Sequence, residues 1–230
     1  MKIPFTKAHG TGNDFIILYS EDVLSIGINK NLIKQLCNRR TGIGADGLLL
    51  LSPNDTLDFK MDYYNNDGTW ETMCANGARC AVLYMQHRGL IKNKTSFYAG
   101  DGPHDAEIIN DNHIRLQMKS PEYKTELISV EGFKGRHVDS GARHFAVPVD
   151  DLSEPNLLEI GRKIRFSSEF SPKGINVNFY TELGGNSIYV KTYEKGIEKL
   201  MLSCGSGSVA AAYHASQTLG LQNSINVTVP

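Results

Sequence analysis

Two cysteines each stand just before a run of small residues that leads into an apolar segment. Cys74 lies in MCANGARC, residues Met73–Cys80, and Cys204 lies in SCGSGSVAAAYHA, residues Ser203–Ala215. When Cys74 is set on Cys204, a second pair also coincides, because Gly77 then falls on Gly207. The pattern predicts two halves built on one plan, each with a cysteine at the start of a buried helix.

A helix N-terminus suits a reactive cysteine because unpaired backbone N–H groups and the positive end of the helix dipole gather there. Such a position lowers the pKa of a thiol, so that thiolate is available near neutral pH. The same N–H groups can hold a carboxylate. Two thiols on opposite sides of one carbon could act together, one removing a proton and the other returning one. This combination indicates acid–base chemistry beside a carboxylate.

Composition excludes several classes of function. The chain has 230 residues and 40% hydrophobic content, enough for one large or two modest cores. Its net charge is −1 without an evident basic patch, which makes nucleic acid an unexpected partner. We see no apolar stretch of signal-peptide or membrane-spanning length. We therefore expect a cytoplasmic protein with reduced cysteines.

Two cysteines are expected to be structural. The spacing of apolar residues predicts a helix over Asn31–Asn38, with Cys37 packed on its buried face. Cys80 is interpreted as a small buried residue in the helix that continues over Ala81 to about Arg88. The cysteine spacing and partners do not fit a zinc site, so no metal is expected.

Other segments place polar residues at element ends. Alternation predicts a strand over Leu57–Tyr64, which delivers Asn65 to a turn just before Cys74. A helix is predicted over Leu152–Ile164, with Ser153 as its N-cap and Glu154 in its first turn.

Seven motifs occur in an order that resembles one enzyme family. They are KAHGTGNDF (Lys7–Phe15), RRTGIGADG (Arg39–Gly47), YYNNDG (Tyr63–Gly68), MCANGARC, INVNF (Ile175–Phe179), YEKG (Tyr193–Gly196) and SCGSG (Ser203–Gly207). The sequence resembles diaminopimelate epimerase, a cofactor-independent enzyme that inverts one stereocentre of LL-diaminopimelate to give the meso form. The resemblance covers nearly the whole chain.

The resemblance implies an α/β fold of two pseudo-symmetric domains, each a mixed β-sheet curled around a central α-helix. Residues 1–120 would carry Cys74 and residues 121–230 would carry Cys204, with Pro121 as a plausible boundary. The active site would lie between the two halves.

The resemblance also implies roles for particular residues. Cys74 and Cys204 would be the acid and the base, and no pyridoxal phosphate or other cofactor would be needed. His144 aligns with a family histidine near the site and could help to ionise a thiol, although an ordinary buried or surface histidine is nearly as plausible. The expected substrate ligands are Asn13, Asn65, Asn76, Gly77, Asn176, Glu194, Lys195, Gly205 and Ser206.

Four departures from the family pattern bear on the substrate. Ala75 replaces a glycine, Ala142 replaces an asparagine, Lys195 replaces an arginine, and Leu200–Met201 replace a Glu–Thr pair. Lysine lacks the planar fork with which arginine holds a carboxylate. Two alternatives therefore stay open: a related amino-acid racemase, for example of histidine, and a homologue that binds amino acids without turning them over. The expected partner is a small-molecule amino-acid substrate, with no nucleic acid and no membrane, and the expected assembly is a homodimer.

Overall fold

The computed structural model describes residues 2–110, 113–153, 156–222 and 224–230. The chain forms two compact units, Met1–Gln117 and Met118–Pro230. Each unit has its own sheet and its own hydrophobic core, and the two are described in turn.

The first unit is a mixed sheet with two α-helices. The elements are β1 (Thr6–Gly10), β2 (Asn13–Tyr19), α1 (Lys30–Cys37), β3 (Gly47–Ser52), β4 (Phe59–Asn65), β5 (Trp70–Glu71), α2 (Ala75–His87), β6 (Lys94–Ala99), β7 (Gly102–Asn110) and β8 (His113–Leu116). The strands follow the order β1-β2-β3-β4-β6-β7-β8, and β5 pairs with β4. Strand pairs β2–β3 and β4–β6 are parallel, while β1–β2, β3–β4, β4–β5, β6–β7 and β7–β8 are antiparallel.

Helix α2 is the centre of this unit. It contacts β1, β2, β3, β4, β7 and β8, so the sheet curls around it. Successive apolar residues of the strands point to opposite faces of the sheet. One set, which includes Phe15, Leu49 and Met61, faces α2. Helix α1 covers the other face through Ile33 and Cys37. The burial of Cys37 and Cys80 confirms the structural interpretation of both residues.

The second unit is also a mixed sheet with two α-helices. The elements are β9 (Glu122–Tyr123), β10 (Ile128–Val130), β11 (Phe133–Asp139), β12 (Arg143–Pro148), α3 (Leu157–Arg165), β13 (Asn176–Gly184), β14 (Ser187–Glu194), β15 (Lys199–Met201), α4 (Gly205–Leu219) and β16 (Asn226–Thr228). The strands follow the order β10-β11-β12-β13-β14-β15, with β9 beside β11 and β16 beside β14. Helix α4 contacts β11, β12, β13 and β14, and helix α3 packs on the opposite face.

The two units repeat one connection plan. The series β1-β2-α1-β3-β4-β5-α2-β6 corresponds to β11-β12-α3-β13-β14-β15-α4-β16. Each step has the same strand direction, since β12–β13 and β14–β16 are parallel whereas β11–β12, β13–β14 and β14–β15 are antiparallel. The predicted fold, two α/β units with a mixed sheet curled around a central helix, is confirmed.

Helix boundaries were predicted with mixed accuracy. Helix α1 matches its prediction within one residue, and the side chain of Asn29 caps it by accepting the N–H groups of Asn31 and Leu32. Helix α2 starts at Ala75, directly after Cys74 as predicted, so the run of small residues is itself helical and Ala81 to His87 is only its second half.

The predicted start of α3 was wrong. The helix begins at Leu157 and its N-cap is Asn156. Ser153 does not cap it, because its hydroxyl and its backbone N–H both donate to Asp151. Glu154, expected in the first turn, lies outside the described residues.

Candidate active site

Cys74 is the N-cap residue of α2, as its position before the small-residue run predicted. The residue is half-buried, and its Sγ lies 3.8 Å from Asn13 Oδ1. Helix α2 directs its N-terminal N–H groups towards this end of the sheet. A thiol, an amide and a helix N-terminus therefore meet at one point.

The Asn13 side chain has a defined orientation. It lies at the start of β2, and its Nδ2 donates to Asp46 Oδ2 over 2.9 Å. Its Oδ1 consequently turns the other way, where it accepts from Asn76 Nδ2 over 3.3 Å and faces the Cys74 sulfur. The Asp46 carboxylate thus determines which end of the Asn13 amide the thiol meets.

Arg79 orients Asn76 in the same manner. Asn76 is buried in the first turn of α2. Its Oδ1 accepts from Arg79 Nη2 over 2.7 Å, and Arg79 Nη1 donates to the Ala75 carbonyl over 3.1 Å. The Asp46 carboxylate therefore fixes the orientation of the Asn13 amide, and the Arg79 guanidinium fixes that of the Asn76 amide.

A cluster of charges holds Asp46 in place. Arg39 Nη2 donates to Asp46 Oδ1 over 2.8 Å and to Asp14 Oδ1 over 2.7 Å. Lys7 Nζ contacts Asp14 Oδ2 at 2.8 Å. Burial alone would raise the pKa of Asp14, but hydrogen bonds from Arg39 and Lys7 outweigh it and hold that pKa well below its usual value.

Asn65 and Gly77 lie at the same end of the first unit. Asn65 ends β4, accepts from the Tyr63 hydroxyl over 2.7 Å and donates to Glu71 over 3.3 Å. Gly77 lies in the first turns of α2, and a Cβ there would sit 3.0 Å from a methyl group of Leu49. A Cβ at this position would therefore fit only if the Leu49 side chain shifted, so the close packing of the helix on the sheet favours glycine.

Cys204 is the N-cap residue of α4 and is also half-buried. Its Sγ lies 3.7 Å from the hydroxyl of Ser206, in the first turn of the same helix. The Ser140 hydroxyl donates to the Ser206 carbonyl over 2.8 Å, which ties this turn to the loop before β12. Gly205 is the first residue of α4, directly beside the thiol.

His144 lies directly behind Ser206. The imidazole is completely buried, with Nδ1 2.8 Å from Asn178 Oδ1 and Nε2 2.9 Å from Ser206 Oγ. Burial lowers the pKa of His144 to about 4, against a smaller opposing effect of the Asn178 hydrogen bond. The histidine is therefore uncharged near pH 7. It contacts the hydroxyl of Ser206, which in turn lies beside the Cys204 sulfur.

The remaining predicted ligands of the second unit lie where β13 begins and β14 ends. Asn176 is buried, and its Oδ1 accepts the backbone N–H of Lys195 over 2.8 Å. Glu194 is half-buried at the last position of β14, and the Lys195 side chain is exposed. The contacts thus form two groups. One joins Asn176 to Lys195, and the other joins Cys204 to Ser206 and Ser206 to His144.

Sequence reasoning missed Asp46, Arg79, Asn178 and Thr192, the last of which accepts from Asn178 Nδ2 over 2.7 Å. Two patterns could have revealed some of them. Arg79 follows Asn76 at a spacing of three, which places both on one helix face. Asn178 follows Asn176 at a spacing of two in a strand, so both asparagines face α4. Asp46 and Thr192 have no comparable local pattern.

Comparison with known proteins identifies the family. The family model described as diaminopimelate epimerase matches residues 5–124 and 136–230. The chain belongs to the diaminopimelate epimerase family. Among members of that family, the diaminopimelate epimerase of Flavobacterium psychrophilum is 41% identical over 223 residues, covering 97% of this chain and 85% of that protein. The diaminopimelate epimerase of Aquifex aeolicus is 38% identical over 221 residues, covering 90% and 79% respectively.

Solved structures show that the fold of the diaminopimelate epimerase family is shared more widely. A hydroxyproline epimerase from Agrobacterium vitis is similar to this chain with a TM-score of 0.68 at 16% identity, covering 94% of this chain and 77% of that one. Within the described part of this chain, no three His, Cys, Asp or Glu side chains are grouped to hold a metal ion. The described helices also include none with the length and apolar character needed to cross a membrane.

Proposed function

We propose that this protein is a cofactor-independent isomerase that converts LL-diaminopimelate to meso-diaminopimelate. The observation that carries the proposal is the paired placement of Cys74 and Cys204 at the N-caps of α2 and α4 in a chain of this family. The relatives that are 41% and 38% identical over most of the chain bear the name of that activity.

The reaction is a transfer of protons at one carbon. One cysteine, as thiolate, removes the α-proton and becomes a thiol, and the electron pair of the C–H bond moves towards the α-carboxylate. The other cysteine, as thiol, donates its proton to the opposite face and becomes a thiolate. The two sulfurs have then exchanged roles, and proton exchange with solvent restores the starting state. The scheme therefore requires one sulfur to be ionised while the other carries a proton.

The carbanion needs electrostatic stabilisation, because the α-proton of an amino acid is a very weak acid. N–H groups that are fixed before the reaction stabilise charge where it develops. We propose that Asn76, Gly77, Gly205 and Ser206 supply this function to the α-carboxylate. This scheme requires neither pyridoxal phosphate nor a metal ion.

The other polar residues are proposed to bind the rest of the substrate. Glu194 is assigned to an amino group, and Lys195 to the distal carboxylate in place of the family's arginine. Asn13, Asn65 and Asn176 supply further hydrogen bonds. We also propose a homodimer in the cytoplasm, which sedimentation equilibrium and cell fractionation would test.

Chiral chromatography after incubation with LL-diaminopimelate tests the function directly. The protein should produce the meso isomer until the two forms reach equilibrium, and it should do so after dialysis against a chelator. L-Histidine, L-lysine and L-glutamate serve as comparison substrates. Turnover of L-histidine without turnover of diaminopimelate would replace the proposed substrate, and binding without turnover of any of them would replace the proposed reaction.

A further inference from the structure

A buried polar group lies under the N-terminus of α4. His144, Asn178 and Thr192 lie on β12, β13 and β14 and are 0%, 0% and 3% exposed. Asn178 Nδ2 donates to Thr192 Oγ1 over 2.7 Å, and Asn178 Oδ1 lies 2.8 Å from His144 Nδ1. His144 Nε2 then lies 2.9 Å from Ser206 Oγ. These side chains form one continuous chain of hydrogen bonds that ends beside Cys204.

The first unit has apolar and aromatic side chains at the corresponding places. Corresponding places in the two units are identified from Gly77 and Gly207, because each glycine lies three residues after its cysteine. A Cβ on Gly77 would approach Leu49 and Phe15, whereas a Cβ on Gly207 would approach Asn178 and Thr192.

The strand registers agree with this correspondence. Leu49 is opposite Tyr63 across β3 and β4, as Asn178 is opposite Thr192 across β13 and β14. Phe15 on β2 also packs edge-on against Tyr63, at 6.0 Å between ring centroids.

This difference between the units indicates that the fold itself does not require polar groups there. The first unit fills the space under its helix with Phe15 and Leu49. Buried polar side chains are costly unless every one is hydrogen-bonded, and an apolar set of similar size would avoid that cost. The polar set in the second unit therefore serves the site above it.

The chain of hydrogen bonds has a direction. Because Asn178 donates to Thr192 through Nδ2, its Oδ1 faces His144 and accepts the proton on Nδ1. His144 Nε2 is then an acceptor, and the Ser206 hydroxyl donates to it. A lone pair of Ser206 Oγ is left to face the Cys204 sulfur, 3.7 Å away.

We propose that Asn178 and Thr192 are positioning residues for Cys204. They fix the tautomer of His144, and His144 in turn fixes the orientation of the Ser206 hydroxyl beside the Cys204 sulfur. Cys74 has a different support, the charged group around Asp46. The inference rests on the proposed two-thiol function. It adds that each thiol has a supporting network within its own unit, charged beside Cys74 and neutral beside Cys204.

Exchange of the α-proton in D₂O tests the inference, because it separates the two thiols. The isomer that Cys204 deprotonates is first identified as the one whose exchange is lost in Cys204→Ala. Thr192→Val should slow exchange of that isomer about tenfold, as expected for loss of a hydrogen-bonded support. Exchange of the other isomer should stay within about twofold of the wild type, and Thr192→Ser should restore the slowed exchange.

Two further variants control for effects on folding. Thr95→Val makes the same change at a buried threonine of the first unit, which donates to Asp58 over 2.7 Å, and it should not slow that isomer selectively. Asn178→Leu places the first unit's residue type in the second unit and should give the same one-sided loss as Thr192→Val.

Two results would overturn the inference: equal slowing of both isomers by Thr192→Val and Asn178→Leu, or no slowing by either. Failure of the proposed function looks different, because Cys204→Ala would then show no isomer preference.

Discussion

Cys74 and Cys204 have the same backbone conformation. Their φ and ψ angles are −134° and 113° for Cys74, and −136° and 111° for Cys204. Each residue is extended and directly precedes the first residue of a buried helix. The two thiols thus have the same relation to a helix N-terminus, although the side chains behind them differ. This equivalence underlies the predictions that follow.

Alkylation should distinguish the two N-cap cysteines from the two structural ones. Burial raises the pKa of Cys37 and of Cys80 to about 11, so both remain thiols at pH 8 and are shielded from reagent. In the native protein, iodoacetamide should modify Cys74 and Cys204 first, as measured by peptide mass spectrometry. All four should react after denaturation. Early modification of Cys37 or Cys80 in the folded protein would contradict the assignment.

Asp46→Asn should reduce activity through Asn13. The variant removes the carboxylate that accepts from Asn13 Nδ2, so the amide is free to turn its nitrogen towards Cys74. We expect kcat/KM for LL-diaminopimelate to fall about tenfold, the effect of about 1.4 kcal/mol. Asp62→Asn is the matched control, because Asp62 is an acidic residue of the same unit that contacts Lys60 and Trp70. Equal losses in both variants would show that Asp46 has no specific role.

His144 should make folding stability depend on pH. Its pKa is about 4 in the folded protein, against 6.5 for an ordinary histidine, so the unfolded chain binds more protons between these values. The contribution of His144 is therefore complete above about pH 6.5 and is lost as pH falls towards 4, by at most about 1.4 kcal/mol per pH unit.

Urea unfolding of the wild type and His144→Gln measures this contribution. The difference between their unfolding free energies should shrink from pH 6.5 to pH 4.5 and stay constant from pH 7 to pH 8. His137 also has a pKa lowered to about 4, but it is present in both proteins and cancels in the comparison. Two results would contradict the conclusion that His144 is buried and neutral: a difference in unfolding free energy that does not change with pH, or an NMR titration of His144 near pH 6.5.

Lys195 should affect substrate binding more than catalysis. Its side chain is exposed and its backbone is fixed by Asn176, so a substitution changes the charged group while the loop contact stays. Lys195→Arg should lower KM for diaminopimelate, because a guanidinium holds a carboxylate by two hydrogen bonds, and Lys195→Ala should raise it. Steady-state kinetics at fixed pH gives both values. An unchanged KM in both variants would assign the distal carboxylate to another residue.

The sequence predicted the elements that short-range patterns determine. The small-residue runs after Cys74 and Cys204 correctly placed both cysteines at helix starts, and apolar spacing located α1 within one residue. Alternation in β4 placed Asn65 at the strand end. These features depend on neighbours within a few positions along the chain.

Longer-range relations were not predictable in this way. Asp46 reaches Asn13 across 33 positions and His144 reaches Ser206 across 62, so the fold has to be known before either contact can be inferred. Serine is a preferred N-cap residue, which made Ser153 a reasonable prediction. In the structure its hydroxyl and backbone N–H donate to Asp151 instead of capping the helix. The polar group around Asn178 likewise depends on the strand register between β13 and β14.

Replacing each N-cap cysteine in turn tests the central claim most directly. Cys74→Ala and Cys204→Ala should each reduce epimerisation of LL-diaminopimelate by about two to four orders of magnitude, the usual effect of losing a positioned acid or base. In D₂O, followed by NMR, each variant should still exchange the α-proton of one isomer, and the two variants should prefer opposite isomers. Cys80→Ala should keep wild-type behaviour. Exchange of both isomers at equal rates by either N-cap variant, or full epimerisation by one of them, would contradict the two-thiol account.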